Sequence, residues 1–374
     1  MARAARPMRV VIAPDSFKGS LTSVEVALAL AEGWRAARPD DELLLAPLAD
    51  GGEGTLVAIA AAGGWEWRTA EATDPIGRPV TARWLRSTDG RRAVVELAEA
   101  SGLSRLAATE RDPIGATTRG TGEVIRAVLG AAIRSITLGI GGSATSDGGA
   151  GLLRALGATI DTTHVDLAGL DPRLADVDLR IACDVSNPLL GPRGAAATYG
   201  PQKGATPEDV VALDASLTRY ADRLAMAAGR DERETPGAGA AGGTAFGLLS
   251  VASHFHSVQL VPGVEVVMEE TGLHGKLTGA DLVLTGEGRI DSQTAYGKTA
   301  LGVAQLARTA GVACIAVAGG IDPAGEAILW DLGVITVGVS EAPISLEAAM
   351  AAGTAPVERC GRRLARLYAM VEQR

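Results

Sequence analysis

Apolar runs alternate with glycine-rich polar loops at the start of the chain. The run MRVVIA leads into PDSFKGSL and an amphipathic segment, and LLLAP leads into LADGGEGT and the segment LVAIAAAG. Thr22 and Glu25, three residues apart, form the capping-box arrangement that begins a helix. The pattern therefore predicts strand, helix, strand and helix, with a polar loop after each strand.

The same order returns towards the C-terminus. ADLVLTG leads into the loop EGRIDSQTAYG and the helical segment KTALGVAQLART, and VACIAVAGG and VITVGV predict two further strands. A last helix is expected from about Ser345. Strands that alternate with helices of this length pair in parallel through right-handed crossovers. We therefore predict a doubly wound parallel sheet that binds ligands at the carboxyl ends of its strands.

The middle of the chain has a different pattern. Apolar positions alternate on both sides of Asp89-Gly90, which predicts an antiparallel hairpin. Further on, ITLGI and LRIACDV each lead into a polar loop, and a long helix is expected after Thr206, with Pro207 in its first turn. We interpret residues 73–279 as a second α/β domain, inserted into a discontinuous first domain of residues 1–72 and 280–374.

Charge and composition narrow the class of protein. The 374 residues include 35 basic and 44 acidic side chains, a formal net charge of −9. This charge disfavours a protein that binds nucleic acid or an anionic membrane surface. No apolar run is long enough to predict a membrane span, and the three cysteines have neither zinc-site nor disulfide spacing. We expect a cytoplasmic protein whose first seven residues are a frayed tail.

Lysine is rare in this chain, because only four of the 35 basic residues are lysines. Three of them, Lys18, Lys203 and Lys298, stand beside glycine in the polar loops SFKGS, PQKGA and YGKTA. An ammonium group on a flexible stem suits an anion beside a crowded glycine loop. We therefore expect these three lysines to contact ligands, with a chance distribution as the alternative. Lys276, in HGKLTG, is expected in a solvated loop.

Acidic residues follow most of the predicted strands, usually next to glycine. They are Asp15, Asp50, Glu53, Asp147, Asp184, Glu287 and Asp291. Carboxylates at such positions can hold Mg²⁺ together with water, or accept a proton from a substrate hydroxyl. Aspartate can also simply cap a helix or a turn. Asp184 ends the apolar strand before Asn187-Pro188, and we expect it to face a cleft.

The loop GIGGSA has the G-x-G-x-x-A spacing of a dinucleotide-binding turn, and Asp161 follows about 20 residues later, as such a site requires. Ser143, Thr145, Ser146 and Asp147 make this loop unusually rich in hydroxyl and acidic groups, which disfavours that interpretation. An NAD-dependent oxidoreductase of a small hydroxy acid is therefore kept as an alternative. A non-catalytic sensor of a phosphorylated metabolite is a third possibility.

Eight different blocks of sequence follow one another along the chain. They are APDSFKGS, PLADGGEGT, ELAEASGL, GIGGSATSDGG, CDVSNPLLGPRGA, GPQKGA, PGAGAAGG and TGEGRIDSQTAYGK. Together they resemble the bacterial glycerate kinase family of the two-domain type, over nearly the whole chain from Met8 onward. Ser146 and Ala300 depart from the family pattern, in which asparagine and proline are more common, and neither change removes a charge.

The resemblance implies a flavodoxin-like domain interrupted by a second α/β domain, with ATP and D-glycerate bound between them. It also implies transfer of the γ-phosphoryl group of ATP to a hydroxyl of glycerate, with Mg²⁺ as cofactor. The usual product is 2-phosphoglycerate, and 3-phosphoglycerate is the alternative. The partners would then be small molecules, with neither nucleic acid nor membrane, and we expect a monomer or a homodimer.

Phosphoryl transfer needs positioned reactants, neutralised charge and modest help from a base. On the resemblance, Asp184 is expected to accept the hydroxyl proton, with Asp291 as the second choice, and Lys18 to meet an anionic group. Four residues are expected to bind substrate: Ser16, Asp50, Arg289 and Lys203. The ATP phosphates are assigned to Gly141, Gly142, Ser143, Ala144, Thr145 and Lys298. Mg²⁺ is assigned to Glu53 and Glu287, with Asp50 as a further candidate.

Overall fold

The computed structural model describes residues 6–292, 294 and 299–372. The chain divides into two compact units. Unit 1 comprises Met1–Asp50, Val57–Gly63 and Val267–Arg374, and unit 2 comprises Gly51–Leu56 and Gly64–Val266. Among the described residues, none of the helices combines the length and the apolar character that a membrane crossing requires.

The strands and helices follow one another as the sequence pattern predicts in most places. The strands are β1 (Arg9–Pro14), β2 (Glu42–Leu45), β3 (Trp65–Thr73), β4 (Pro79–Ser87), β5 (Arg92–Glu96), β6 (Ser135–Gly139), β7 (Thr159–Ile160), β8 (Val165–Asp166), β9 (Asp178–Ala182), β10 (Ser257–Val261), β11 (Leu282–Ile290), β12 (Ala313–Ile321) and β13 (Ile335–Gly338). The helices are α1 (Ser23–Arg35), α2 (Thr55–Ala61), α3 (Ala98–Ser101), α4 (Arg119–Gly130), α5 (Ala150–Ala155), α6 (Ala195–Tyr199), α7 (Pro207–Ala228), α8 (Ala240–Ser250), α9 (Gly263–Glu270), α10 (Leu273–Leu277), α11 (Thr299–Ala310), α12 (Pro323–Trp330), α13 (Leu346–Ala351) and α14 (Ala355–Glu372).

Unit 1 contains a five-stranded sheet in the order β2-β1-β11-β12-β13, and every neighbouring pair is parallel. Counted within the unit, this is the flavodoxin-like order 2-1-3-4-5. The strand order reverses between β1 and β11, which is the position where such sheets bind ligands. The α/β class and the doubly wound parallel sheet are thus confirmed.

Local sequence signals account for the helices that cover this sheet. Thr22 caps α1, and the reciprocal hydrogen bonds with Glu25 are both present. A Cβ at Gly33 would lie 1.9 Å from the Glu358 carbonyl oxygen of α14, so glycine permits close packing of the two helices. The single last helix expected from Ser345 is instead two helices, because Gly353 adopts φ +61° between α13 and α14.

A buried ion pair fixes the N-terminal part of unit 1. Arg38 Nε donates to Asp41 Oδ2 (2.6 Å), and the same carboxylate accepts the Trp34 Nε1–H (2.8 Å) and the Met8 N–H (2.9 Å). Burial acts to raise the pKa of Asp41, but these donors outweigh it, so the pKa lies below its usual value. Arg38 also donates to the Arg6 carbonyl oxygen, so the expected frayed tail is wrong for Arg6.

Unit 2 contains a six-stranded sheet in the order β10-β9-β6-β5-β4-β3. The strands β5, β6, β9 and β10 are parallel, and β3 and β4 are antiparallel at one edge. The hairpin around Asp89-Gly90, formed by β4 and β5, is confirmed. Because β3 pairs with β4, the main part of unit 2 begins at Gly64, after the short segment 51–56, and it ends at Val266. The domain boundaries at residues 73 and 279 stay a prediction.

Candidate active site

The carboxyl ends of β1 and β11 carry the first group of polar residues, in unit 1. Asp15 follows β1, and its N–H donates to the Gly286 carbonyl oxygen of β11 (2.8 Å). Its carboxylate accepts the Thr299 hydroxyl (2.7 Å) and the Ser16 N–H (2.6 Å). Burial raises the pKa of Asp15, and the Asp50 charge adds to this effect. Asp15 therefore lies at the switch point of the sheet.

Lys18 and Asp50 come together from two different loops of unit 1. Lys18 Nζ lies 3.4 Å from Asp50 Oδ2, with the side chains 77% and 55% exposed. The Lys18 loop is a tight turn in which the Phe17 N–H donates to the Leu21 carbonyl oxygen (2.8 Å). Exposed ion pairs of this kind contribute little to stability. Lys18 is therefore presented to solvent by an ordered turn and can exchange its partner.

The strand β11 extends further than the sequence predicts. Glu287 and Arg289, expected in a loop, lie within β11, because their backbones pair with Ala318 and Gly320 of β12. Glu287 is buried, and its Oε1 accepts the Thr294 hydroxyl at 2.8 Å. These two residues therefore have fixed positions beside the switch point.

Asp291 follows β11 directly. Its Oδ2 lies 3.6 Å from Arg289 Nε, and its N–H donates to the Thr294 hydroxyl (3.1 Å). Arg289 is 70% exposed in this pair. Lys298, expected at the ATP phosphates, lies outside the described residues. The structure thus brings Asp291 and Arg289 together on one strand end, with the arginine facing solvent.

The glycine-rich loop 141–145 follows β6 in unit 2. A Cβ at Gly141 would lie 2.5 Å from the Gly52 Cα, so glycine is required where these two loops approach each other, and Gly142 adopts φ +72°. The Ala144 N–H donates to the Ser101 carbonyl oxygen at 3.0 Å. This N–H, expected to meet an ATP phosphate, is therefore already paired within the protein.

Lys203 lies beneath this loop. Its side chain is buried, and Nζ donates to the Ser143 hydroxyl oxygen (2.9 Å) and to the Thr145 carbonyl oxygen (2.6 Å). Burial lowers the pKa of Lys203 to about 7, an effect that the Asp147 charge partly offsets. The contacts of Lys203 are thus with the loop, and the direct substrate contact expected from the sequence stays a prediction.

The Asp147 carboxylate accepts hydrogen bonds from four neighbouring residues. They come from the N–H groups of Thr118 (2.9 Å), Gly149 (3.1 Å) and Gly151 (3.0 Å), and from the hydroxyls of Thr117 and Thr118. These bonds connect the N-terminal ends of α4 and α5. Asp147 therefore has the capping role, which is one of the roles expected for the acidic residues that follow strands.

Glu96, at the end of β5, lies at the same edge of the unit 2 sheet as the loop 141–145, and it is not among the residues that the sequence predicts for the site. It is buried, and its Oε1 accepts the Leu56 N–H at 2.5 Å, at the beginning of α2. Burial raises the pKa of Glu96 to about 7, although hydrogen bonds from Leu56 and Gly54 oppose the shift. An acid that ends an apolar strand, in the block ELAEASGL, is the signal that could have identified it.

The Glu96→Gln variant keeps an acceptor for the Leu56 N–H and removes the charge. Because the folded-state pKa lies above the unfolded value of 4.5, the stabilising contribution of Glu96 is complete below about pH 4.5 and is lost as pH rises through about 7. We expect the free energy of unfolding of the variant, relative to the original protein, to rise by about 1–3 kcal/mol between about pH 5 and about pH 8. Urea denaturation measures it, and a pH-independent difference would contradict this assignment.

Asp184 follows β9 and is exposed. Its Oδ1 accepts the Gly263 N–H at 2.7 Å, at the beginning of α9 and directly after β10 and Pro262. Since β9 and β10 are parallel neighbours, this hydrogen bond joins the carboxyl ends of two strands. It also orients the carboxylate. Asp184 therefore lies on the same edge of the unit 2 sheet as the loop 141–145.

Two other residues have positions that differ from expectation. Asp161 closes the turn between β7 and β8 by accepting the N–H groups of Thr163 (2.7 Å) and His164 (2.7 Å). It therefore belongs to a small antiparallel hairpin rather than to the parallel sheet. Asp161 thus does not occupy the position of the acidic residue that a dinucleotide-binding site requires. Lys276 is not solvated, because its Nζ donates to the carbonyl oxygens of Leu45 (2.7 Å) and Ala62 (2.9 Å).

The expected Mg²⁺ ligands differ in exposure. Glu53 is exposed, whereas Glu287 is buried against Thr294. Within residues 6–292, 294 and 299–372, no three acidic, histidine or cysteine side chains are grouped to hold a metal ion. Mg²⁺ that is bound mainly through substrate phosphates needs only one or two carboxylates and keeps several waters. The oxygen donors of Asp50 and Glu53 suit that mode of binding.

Comparison with known proteins gives one consistent result. The model of the glycerate kinase family matches residues 10–369. A glycerate kinase of Halalkalibacterium halodurans is 41% identical over 95% of this chain and 97% of its own length. A glycerate 2-kinase of Escherichia coli is 44% identical over 84% of this chain and 86% of its own length.

A solved structure agrees with the sequence comparisons. The crystal structure of a Salmonella typhimurium LT2 protein, assigned as glycerate kinase 2, matches with a TM-score of 0.86 and 41% identity, covering 99% of this chain and 100% of that one. The resemblance carried by the eight sequence blocks is confirmed. On the family match across residues 10–369 and these relatives, the chain belongs to the glycerate kinase family.

Proposed function

We propose that this protein transfers the γ-phosphoryl group of ATP to a hydroxyl of D-glycerate, with 2-phosphoglycerate as the product. One observation carries the proposal beyond family membership. The lysine, acidic residues and glycine-rich loop of the family blocks lie at the carboxyl ends of parallel strands, which is where sheets of this class bind ligands. The E. coli relative named glycerate 2-kinase supports the 2-hydroxyl as the acceptor.

The unit 2 edge is suited to the nucleotide. In our proposal the loop 141–145 offers backbone N–H groups of Gly141 and Gly142, together with the Ser143 hydroxyl, to the ATP phosphates. The loop is held in place by the Ser101–Ala144 hydrogen bond, so its donors need little reorganisation when a phosphate arrives. Thr145 contributes through its backbone, because its side chain is buried.

The unit 1 edge is suited to an anionic substrate. Lys18 is paired only loosely with Asp50, and a glycerate carboxylate or the transferred phosphoryl group can replace that partner. Arg289 is exposed and offers a planar fork that matches a carboxylate. Ser16, next to the buried Asp15, adds a hydroxyl group. These residues bind and orient the substrate, and Lys18 also offsets negative charge on the phosphoryl group.

Asp184 is the proposed acceptor of the hydroxyl proton. As the glycerate oxygen forms its bond to the γ-phosphorus, the bond from that phosphorus to the ADP oxygen breaks, and the hydroxyl proton passes to the Asp184 carboxylate. The hydrogen bond from the Gly263 N–H occupies Oδ1 and fixes the orientation of the carboxylate. Asp291, which lies beside Arg289 at the end of β11, is the second candidate.

Mg²⁺ is the expected cofactor of a reaction that moves so much negative charge. We propose that the exposed carboxylates of Asp50 and Glu53 hold it or its water ligands, and that the buried Glu287 orients the surrounding residues instead. When bound, the ion neutralises charge on the phosphate oxygens. The monomeric or homodimeric state and the cytoplasmic location stay predictions.

The test is the rate of ADP formation with and without D-glycerate, in the presence of Mg²⁺ and ATP. We expect ADP to form only when glycerate is present, and the rate to fall strongly in the Lys18→Met variant. ADP formation that does not depend on glycerate, or no ADP at all, would contradict the proposal. Unchanged NADH fluorescence on mixing with the protein would also exclude the dehydrogenase alternative.

A further inference from the structure

Lys203 occupies an unusual position for a lysine. It follows α6 in a short turn in which its N–H donates to the Gly200 carbonyl oxygen (2.9 Å), and the next residue, Gly204, adopts φ +97°. This turn directs the side chain into the interior of unit 2, where only 1% of the residue is exposed. The ammonium group is therefore removed from water.

Among the described residues, the buried ammonium has two hydrogen-bond acceptors and no counter-ion. Its acceptors are the Ser143 hydroxyl oxygen (2.9 Å) and the Thr145 carbonyl oxygen (2.6 Å), both neutral. Among the residues that the structure describes, no carboxylate lies within ion-pair distance of its Nζ. Asp147 acts on it electrostatically, but that carboxylate already accepts hydrogen bonds from four other residues.

An unpaired buried charge is costly, so proteins usually pair such a group or let it lose its proton. The lowered pKa of Lys203 reflects this cost, which arises from burial. The loop above it also holds two buried hydroxyls, those of Thr145 and Ser146, for which the described residues offer no hydrogen-bond partner. The region beneath the loop thus has a positive charge and two hydroxyl groups that have no hydrogen-bond partner among the described residues.

Two backbone hydrogen bonds also hold the loop 141–145 in place. The Leu103 N–H donates to the Gly142 carbonyl oxygen (2.8 Å), and the Ala144 N–H donates to the Ser101 carbonyl oxygen (3.0 Å). Lys203 holds the remaining part of the loop through Ser143 and Thr145. The loop therefore has a fixed backbone, a glycine-rich surface and a positive charge below it.

We propose that Lys203 is a positioning residue for a polyphosphate site: it fixes the loop 141–145 through Ser143 and Thr145 and supplies the charge that attracts the phosphate chain of the nucleotide. This inference rests on the proposed function in taking ATP as the nucleotide. Arginine does not serve equally well at this position, because a planar guanidinium fork needs more room than an ammonium group between two acceptors.

Lys276 provides a matched control. It is also a partly buried lysine whose Nζ donates to two neutral oxygens, the carbonyls of Leu45 and Ala62, and burial lowers its pKa to about 8. It lies in unit 1, whereas the loop 141–145 lies in unit 2. Each of the variants Lys203→Met and Lys276→Met therefore removes an ammonium group that donates to two neutral oxygens. Only Lys203 belongs to the proposed polyphosphate site.

The experiment measures binding of inorganic pyrophosphate by calorimetry and the KM values for ATP and glycerate by steady-state kinetics. We expect Lys203→Met to weaken pyrophosphate binding and to raise the KM for ATP by about tenfold or more, with the KM for glycerate unchanged. Lys276→Met is expected to lower the melting temperature without changing either KM. Pyrophosphate affinity that is unchanged in Lys203→Met, or that falls equally in both variants, would overturn the proposal.

A second variant keeps the proposal testable if Lys203→Met does not fold. Lys203→Gln keeps a hydrogen-bond donor near the Ser143 hydroxyl and the Thr145 carbonyl oxygen but removes the charge, and we expect a several-fold rise in the KM for ATP with a normal melting temperature. An unchanged KM would overturn the proposal. Because pyrophosphate binding does not involve glycerate, this site would stand even if the protein failed to phosphorylate glycerate, and the two failures are therefore distinguishable.

Discussion

Replacing Asp184 by asparagine is expected to lower kcat by about 100-fold or more, the range found for groups that accept a proton in the transition state. Asparagine retains an oxygen that can accept the Gly263 N–H, so the carboxyl ends of β9 and β10 stay joined. It lacks the basicity to take the hydroxyl proton. Steady-state kinetics at saturating ATP and glycerate measure the effect.

The Asp161→Asn variant is the matched control. Asp161 is also an exposed acid of unit 2 that accepts backbone N–H groups, but it lies in the β7–β8 turn. Its kcat should equal that of the unchanged protein. Near-normal turnover of Asp184→Asn would remove Asp184 from the mechanism, and the test would then move to Asp291.

Replacing Asp41 by alanine is expected to reduce the free energy of unfolding of unit 1 by about 3–5 kcal/mol, the usual cost of leaving a buried charge without its partner. Arg38 would lose its carboxylate, and the Trp34 Nε1–H and Met8 N–H would lose their acceptor. Urea denaturation followed by tryptophan fluorescence measures the loss, because Trp34 is buried beside Asp41.

An exposed ion pair of the same unit gives the comparison. Glu341 accepts hydrogen bonds from Arg359 (2.7 Å) and Arg363 (3.2 Å), with all three side chains more than a third exposed. Glu341→Ala should cost about 0–1 kcal/mol. Equal losses in the two variants would show that the Asp41 network does not behave as a buried one.

The stabilising contribution of Asp41 also depends on pH. Because the pKa of Asp41 is lowered, this contribution to the free energy of unfolding is present above the usual pKa of 3.8 and is lost as pH falls through the folded-state value.

The parts of the fold that the sequence predicts are those specified by local signals. The helices expected after Thr22 and Thr206 begin there in the structure, because each start is specified within four residues by a capping box. The Asp89-Gly90 turn likewise forms its hairpin. Apolar periodicity was enough to predict parallel strands in both halves, since buried strands need apolar residues wherever they lie.

Features that depend on distant partners were not predictable in the same way. The strand β3 was not predicted, because residues 65–69 are largely exposed and the strand is fixed by its pairing with β4. The half-buried Lys276 donates to the carbonyl oxygens of Leu45 and Ala62, which are far away in sequence. The pattern around a residue cannot reveal such acceptors.

In the candidate site, too, some features follow from local sequence and others depend on distant partners. The glycine loop and the acids after strands were found from the sequence, because glycine and carboxylates at strand ends have a direct chemical meaning. The hydrogen bonds of Glu96 and Lys203 could not be predicted, because they depend on burial and on distant partners: the Leu56 N–H for Glu96, and the Ser143 hydroxyl and Thr145 carbonyl oxygen for Lys203. Burial of a polar side chain is a property of the packed unit.

The most direct test of the account is ³¹P NMR of the product formed from ATP and D-glycerate in the presence of Mg²⁺. We predict a phosphomonoester signal that is split by one proton, which identifies the secondary hydroxyl as the acceptor and 2-phosphoglycerate as the product. Splitting by two protons would identify 3-phosphoglycerate and contradict the proposed position. No phosphoester signal and intact ATP would contradict the proposed activity itself.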